Sequence, residues 1–223
     1  MTYSIIIPIY NEEITLISLL NKLMKLNKNI EIIIIDDGSD DGTREILKNN
    51  ERIKVISNEF NIGKGAAILA GVSFAKKENI ILYDGDLEVD IEDIPRLIDI
   101  FENNNFDVLV GTRWDKKHYS SDINSIGNHF LNGIFNMLFN SRLSDVLCCV
   151  KIINTDLLKS LKIKSHRFSF EVETMAKIVS KNLIFSEVQI NYNRRSVEQG
   201  KKLKISDGWS ILWCMIKIKL CYS

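Results

Sequence analysis

The sequence predicts an α/β fold built on a mostly parallel central sheet flanked by helices. Along the first half of the chain, short β-branched apolar runs alternate with stretches of helical periodicity, the pattern of repeated strand–helix units. One run, residues 31–35, is nearly continuous isoleucine, as expected of a strand buried on both faces. Another, residues 79–83, stops abruptly at Asp84-Gly85-Asp86-Leu87-Glu88. A strand ending there delivers carboxylates to one edge of a sheet, and the glycine lets a ligand approach the backbone closely.

Residues 4–7 form the first β-rich run, with Asn11 as the expected N-cap of a helix over residues 13–26. After the isoleucine strand, Asp40, Asp41 and Gly42 punctuate the entry to a helix at 44–48. A strand is expected at 54–57, a helix at 66–75, the acid-bearing strand at 79–83, a helix at 94–101 and a strand at 107–110. Ligands of such sheets bind beyond the carboxyl ends of the strands, which singles out residues 8–12, 36–39, 57–64, 84–88 and 111–113. No internal repeat, low-complexity segment or domain linker interrupts the pattern.

Bulk properties narrow the class. The 223 residues carry a formal net charge of +0, with 45% hydrophobic and 26% charged residues, which is globular composition. Balanced charge gives no global case for nucleic-acid binding. The 4 cysteines, Cys148, Cys149, Cys214 and Cys221, have no Cys-x-x-Cys spacing, so a reducing, cytoplasmic compartment is expected. Met1 leads straight into a strand-like run, leaving no room for a signal peptide, and no apolar stretch reaches the ~20 residues of a spanning helix. His118, His129 and His166 form no ligand spacing and are assigned to structure or surface.

The strand exits carry the chemistry. Hard oxygen ligands clustered as Asp84, Asp86 and Glu88 suit Mg²⁺ or Mn²⁺, particularly when a diphosphate completes the coordination. At Asp36-Asp37-Gly38-Ser39, Asp37 can accept from a base N–H or a ribose hydroxyl; a turn alone explains one aspartate and the glycine. Asn61-Ile62-Gly63-Lys64-Gly65 superficially suggests a dinucleotide fingerprint, but it follows the third strand and lacks the full glycine spacing.

Taken in order, the segments from Ser4 to Glu12, Ile35 to Ser39, Asn61 to Gly65, Asp84 to Glu88 and Gly111 to Arg113 resemble the family 2 glycosyltransferases, which have the GT-A nucleotide-sugar-binding fold. The resemblance implies that Pro8, Tyr10, Glu12, Ile35 and Asp37 surround the nucleoside. It implies that Asp84, Gly85, Asp86 and Glu88 meet the metal and diphosphate, and that Arg113 approaches the sugar-phosphate region. In the second half, the runs from Asp145 to Lys151, Phe168 to Glu173, Tyr192 to Arg195 and Gly200 to Lys202 are similar to the polyprenol-phosphate (dolichol-phosphate) hexosyltransferase branch. Glu88 stands where many relatives carry Gln, Val150 replaces an aromatic, and Gln189 replaces a usual Pro.

The implied reaction is a metal-assisted, inverting transfer of a hexose from a nucleotide-diphosphate sugar, with GDP-mannose and UDP-glucose as leading donors, to polyprenyl or dolichyl phosphate. A lipid phosphate is already anionic and needs cationic positioning more than a protein base. Arg194, Arg195, Lys201, Lys202 and Lys204 offer that; their bland alternative is a solvated loop. Arg195, Lys201 and Lys202 are the preferred contacts, with Asp86 and Arg113 completing the expected catalytic set. Glu171 and Glu173 stand either near the acceptor or as favourable first-turn acids. The resemblance places a GT-A domain over residues 1–204 and an amphipathic segment over 205–223. In that segment Trp209 and Trp213 fall on one helical face, fitting either a membrane-interfacial helix or a core or oligomer contact. The expected partners are the donor, the lipid phosphate, the cytoplasmic membrane surface and a homo-oligomeric or separate membrane partner. Two rivals stand beside this: a sugar hydroxyl acceptor on a glycan, and a non-catalytic nucleotide-sugar-binding membrane scaffold.

Overall fold

The computed structural model describes residues 1–48, 50–114, 123–193 and 205–222. Its centre is a seven-stranded sheet in the order β3-β2-β1-β4-β6-β5-β7. The strands are β1 (Tyr3–Ile9), β2 (Glu31–Asp36), β3 (Ile53–Ser57), β4 (Asn79–Leu82), β5 (Val108–Thr112), β6 (Lys151–Asn154) and β7 (Phe185–Gln189). All neighbouring pairs are parallel except those made by β6, which runs antiparallel to both β4 and β5. The sequence pattern predicts a mostly parallel sheet without assigning its pairs, whereas β6 is not foreseen: it is four residues long and shows no alternation.

The helices are α1 (Glu13–Leu23), α2 (Thr43–Leu47), α3 (Lys64–Phe74), α4 (Ile94–Glu102), α5 (Ile123–Phe139), α6 (Thr155–Ser160), α7 (Ser169–Ser180) and α8 (Ile205–Tyr222). They cover both faces of the sheet. Along β1, Ile5, Ile7 and Ile9 face a core shared with α1, α2 and α4, while Ile6 faces one shared with α3 and α5 to α8. Ile32 and Ile34 alternate with Ile33 and Ile35 in the same way, which is why the isoleucine run is apolar at every position.

One local expectation needs correction. Asn11 is not the N-cap of α1; Glu12 is, with no side-chain cap. Asn11 instead takes a left-handed conformation, φ 51°, and its side-chain amide clasps Asp40 in both directions, at 2.6 and 3.0 Å. That clasp ties the β1 exit to the β2 exit. In α7, Glu171 and Glu173 are both buried, and Glu173 is structural: it accepts from the backbone N–H groups of Lys164 and Ser165 and pairs with Lys177 at 2.6 Å. Lys177 outweighs the effect of burial and holds the Glu173 carboxyl below its usual range.

α8 packs against α5 and α7 through Ile211, Met215 and Ile218. Its opposite face leaves Trp209 74% and Trp213 68% exposed, with Leu220 exposed further along. No helix among the described residues is long and apolar enough to cross a membrane. His166 lends its backbone carbonyl to Ala66 N–H and the His129 ring lies 4.6 Å from Trp114; His118 is outside the described residues.

Candidate active site

The carboxyl ends of β1, β2, β4 and β5 place the residues singled out by sequence along one edge of the sheet. Asp84 lies just past β4 and is gripped by Lys64, the first residue of α3, whose Nζ is 2.8 Å from Oδ1 and 2.9 Å from Oδ2. The same ammonium lies 2.7 Å from Glu171 Oε1 on α7. That approach lacks hydrogen-bond geometry, and neither Glu171 oxygen, both buried, has a hydrogen-bond partner. Burial works against charge on Lys64, but Asp84 and Glu171 outweigh it and hold the ammonium well above its usual pKa. Burial likewise opposes charge on Asp84, and Lys64 outweighs it, keeping the carboxyl below its ordinary range. A thiol hydrogen bond from Cys149 adds to that effect.

Lys64 reaches this position because of the glycines around it. Gly63 has φ 98°, and a Cβ there would lie 2.4 Å from the His166 carbonyl oxygen; at Gly65 it would lie 2.4 Å from that of Ser165. The Asn61-to-Gly65 motif is thus a close docking of α3 against the segment entering α7, and this docking brings Lys64 beside Glu171. The motif is plain in the sequence, but nothing in it marks Lys64 as a site residue. A lysine in the first turn of a helix, against the dipole, is the signal that could have exposed it.

Gly85 answers a different need from the one expected. A Cβ there would lie 2.3 Å from a methyl of Ile9, so the space is filled by the chain itself rather than kept for a ligand. Leu87 turns left-handed, φ 59°, and Glu88 N–H donates to Asp86 Oδ1 at 3.0 Å. Glu88 Oε2 accepts from the Tyr192 hydroxyl at 2.9 Å, while its backbone carbonyl accepts from Asn193 N–H at 2.7 Å.

Among the described residues, no three His, Cys, Asp or Glu side chains gather into a group that could hold a metal ion. The reason is visible: Lys64 lies on Asp84, and Glu88 is turned toward Tyr192. Mg²⁺ and Mn²⁺ in phosphate-handling sites nonetheless need only one or two carboxylates, with phosphate oxygens and water completing the shell. Asp84 and Asp86 fit that requirement as hard donors at a strand exit.

At the β1 exit, Pro8 and Tyr10 are half-buried and Glu12 is buried, its carboxylate accepting from the Thr15 hydroxyl at 2.7 Å. Ile35 is fully buried, with its side chain against Gly71 of α3, so it belongs to the core and not to a ligand-facing wall. Asp37 is also buried; Oδ1 accepts from Asn58 Nδ2 and Ile62 N–H, and Oδ2 from Gly63 N–H, at 2.9 to 3.0 Å. It therefore shapes the loop that leads to Lys64. Asp37→Ala leaves the buried Gly63 N–H without its acceptor and should cost about 1–3 kcal/mol in chemical denaturation. Calorimetry with a nucleoside diphosphate reads the second consequence, weaker binding; an unchanged dissociation constant assigns Asp37 to the loop alone.

Arg113 is held by Asp145 in a two-pronged pair, Nε to Oδ2 and Nη2 to Oδ1, both at 2.8 Å. Its guanidinium also lies 5.4 Å from the Trp114 ring centre and 5.5 Å from that of Tyr192. Glu187 on β7 accepts from the N–H groups of Ser144 and Asp145 and so fixes the clamp. Against burial, each partner keeps the other charged: Asp145 is held below and Arg113 well above its usual value. Arg195, Lys201 and Lys202, with Arg194 and Lys204, lie outside the described residues.

A sheet of this order, with helices on both faces and an acidic strand exit, has the GT-A fold of nucleotide-sugar glycosyltransferases. The glycosyl transferase family 2 model matches residues 4–165, and the chain belongs to that family. Curated relatives include an undecaprenyl-phosphate 4-deoxy-4-formamido-L-arabinose transferase of Edwardsiella ictaluri, 27% identical, covering 89% of this chain and 62% of its own length. A dodecaprenyl-phosphate galacturonate synthase of Rhizobium johnstonii is 26% identical over 86% of this chain and 59% of its own. The chain thus spans about three fifths of these relatives, whose names fall in the branch that the second-half motifs resemble. Among solved structures, glucosyl-3-phosphoglycerate synthase from Mycobacterium tuberculosis, in complex with Mn²⁺, uridine diphosphate and phosphoglyceric acid, superposes with a TM-score of 0.78. It is 16% identical, covering 98% of this chain and 78% of that one.

Proposed function

We propose that this protein transfers a sugar from a nucleotide-diphosphate donor to a polyprenyl or dolichyl phosphate, inverting the anomeric centre. The observation that carries the reading is the meeting, at one sheet edge, of Asp84 with Lys64 and Glu171 while Asp86 and Glu88 follow on the same exit. Charge of both signs assembled there suits a diphosphate and its counter-cation. The donor's base lies along the β1 and β2 exits, by Pro8, Tyr10 and Glu12. Asp84 and Asp86 would hold Mg²⁺ or Mn²⁺, which would supply charge neutralisation for the leaving diphosphate. Lys64 adds a positive charge beside the same phosphates, and Arg113, steadied by Asp145, approaches the transferring sugar.

The acceptor side rests on the relatives' names and on Asn193. That residue is bonded to Glu88, and in the sequence Arg195, Lys201 and Lys202 come soon after it. In this reading they position the lipid phosphate against the donor. The relatives' sugars, a galacturonate and a formamido-arabinose, widen the donor range beyond GDP-mannose and UDP-glucose to uronic acids and pentoses. The deciding experiment offers the protein a panel of nucleotide hexoses, hexuronates and pentoses with polyprenyl phosphate and Mn²⁺, and identifies products by mass spectrometry. A sugar-phosphate-lipid is the expected product. A glycosylated hydroxyl, or donor binding without turnover, transfers the site to one of its rivals.

The exposed face of α8 docks on the cytoplasmic membrane surface in this reading, with Trp209 and Trp213 in the headgroup region. Because both tryptophans are largely exposed, Trp209→Ser with Trp213→Ser should leave the fold and the turnover of a short, soluble acceptor intact. Transfer to acceptor embedded in vesicles should fall. Vesicle flotation matching the wild type would return this face to an oligomer contact.

A further inference from the structure

Lys64 stands between two carboxylates and satisfies only one. Both Asp84 oxygens contact its ammonium, at 2.8 and 2.9 Å, whereas Glu171, 3% exposed, keeps both oxygens without a hydrogen bond although Nζ is 2.7 Å away. A buried carboxylate left in that condition is costly, so the arrangement is set for a further cation or a shift of the one present. On fold grounds the lysine is misplaced as well: it opens α3, where the helix dipole opposes a cation. A divalent ion on Asp84 competes directly with the ammonium that covers both of its oxygens. Glu171 is close enough to receive Lys64 with almost no movement.

We propose that Lys64 is a charge latch that couples metal binding to diphosphate binding. Without nucleotide, its ammonium covers Asp84 and keeps divalent ions weakly held. When a diphosphate enters, Lys64 passes to Glu171 and the phosphate side, and Asp84 is released to the metal. Glu171 is thereby a positioning residue, the buried seat that the ammonium takes when it leaves Asp84. This rests on the metal-and-diphosphate reading given above and adds an order to it: metal and nucleotide each raise the affinity of the other by the same factor.

The test measures Mn²⁺ binding directly, by the spin resonance of free Mn²⁺, without nucleotide and with uridine or guanosine diphosphate. In the wild-type protein the nucleotide should tighten Mn²⁺ by about 5- to 150-fold, the ordinary range of coupling between sites. Lys64→Met should bind Mn²⁺ alone more tightly than wild type, with most of the coupling lost. Glu171→Gln should do the opposite, weakening Mn²⁺ alone, because the ammonium then has only Asp84. The double variant Lys64→Met with Glu171→Gln restores the wild-type net charge of the trio and removes the buried Glu171 carboxylate that the single variant leaves without a counter-charge. It should still bind Mn²⁺ alone more tightly than wild type, which general electrostatic attraction does not explain. If the double variant and wild type bind Mn²⁺ alone equally, or if wild-type coupling survives Lys64→Met, the latch is wrong while the metal reading stands. If no variant binds Mn²⁺ with either nucleotide, the metal reading fails and the latch with it.

Discussion

Asp86→Ala is expected to abolish sugar transfer while the protein stays folded. Asp86 is half-buried at a strand exit, outside both hydrophobic cores, and its backbone-directed contact is the acceptance from Glu88 N–H across a two-residue turn. In the proposed reaction it is one of two carboxylates that hold the divalent ion against the leaving diphosphate. Charge stabilisation by such an ion contributes several kcal/mol to the barrier, so turnover should fall by roughly 10²- to 10⁴-fold. A radiolabelled donor with polyprenyl phosphate reads the rate, and circular dichroism reads the fold. Full activity, or wild-type activity indifferent to EDTA, would remove the metal from the mechanism.

The second large effect concerns stability. Asp145→Asn is expected to destabilise the protein by about 3–5 kcal/mol, because it leaves the Arg113 guanidinium largely buried without its counter-charge. Replacing both partners, with Arg113→Met added, should recover much of that loss, since the uncompensated buried charge is then gone. The loss also has a pH signature. The folded Asp145 carboxyl lies below its unfolded value of about 3.9, because Arg113 outweighs the effect of burial. Its contribution is therefore complete above that pH and is lost as pH falls through the lower, folded value. Arg113 stays protonated throughout and adds no slope of its own. Denaturation curves of wild type and Asp145→Asn should be far apart at pH 6 and converge in strong acid. A constant gap would mean that the pair's shape, rather than its charge, matters.

The parallel half of the sheet was legible because each of its strands is an apolar run several residues long, closed by a helix start or an acidic turn. Residues 31–35 show this best: alternate isoleucines enter opposite cores, so burial on both faces is written at every position. The acidic exit was legible for the same reason, as a sharp break in hydrophobicity. Contacts made at long range were not. Lys64 and Glu171 are separated by more than a hundred positions, and only the docking of α3 on α7 brings them together. Arg113 was singled out while its Asp145 clamp was not, since a run that resembles a branch motif does not disclose which side chain it holds. Motif position alone suggests a nucleoside contact for Ile35, whose side chain packs on Gly71; at Gly85 the glycine suggests close backbone approach, and the position of a Cβ is taken by Ile9. Asn11 was read as a cap from residue type alone, and the left-handed turn that overrules this depends on Asp40 across the neighbouring loop.

The reversed strand β6 has a consequence for dissecting the molecule. The residues of the nucleoside and acidic exits all precede position 90, which invites the idea of an excisable half. Yet β4, the strand that bears Asp84, reads Asn-Ile-Ile-Leu and is buried along its whole length, with β1 on one side and β6 on the other. A fragment ending before β6 would present that strand as a bare, apolar rim with unpaired amides, a template for pairing with another copy of itself. Being laid antiparallel, β6 seals the rim late in synthesis, after more than sixty further residues have emerged. The donor-side half is thus contiguous in sequence but not autonomous as a folding unit, and until the second half arrives its most adhesive edge stands open.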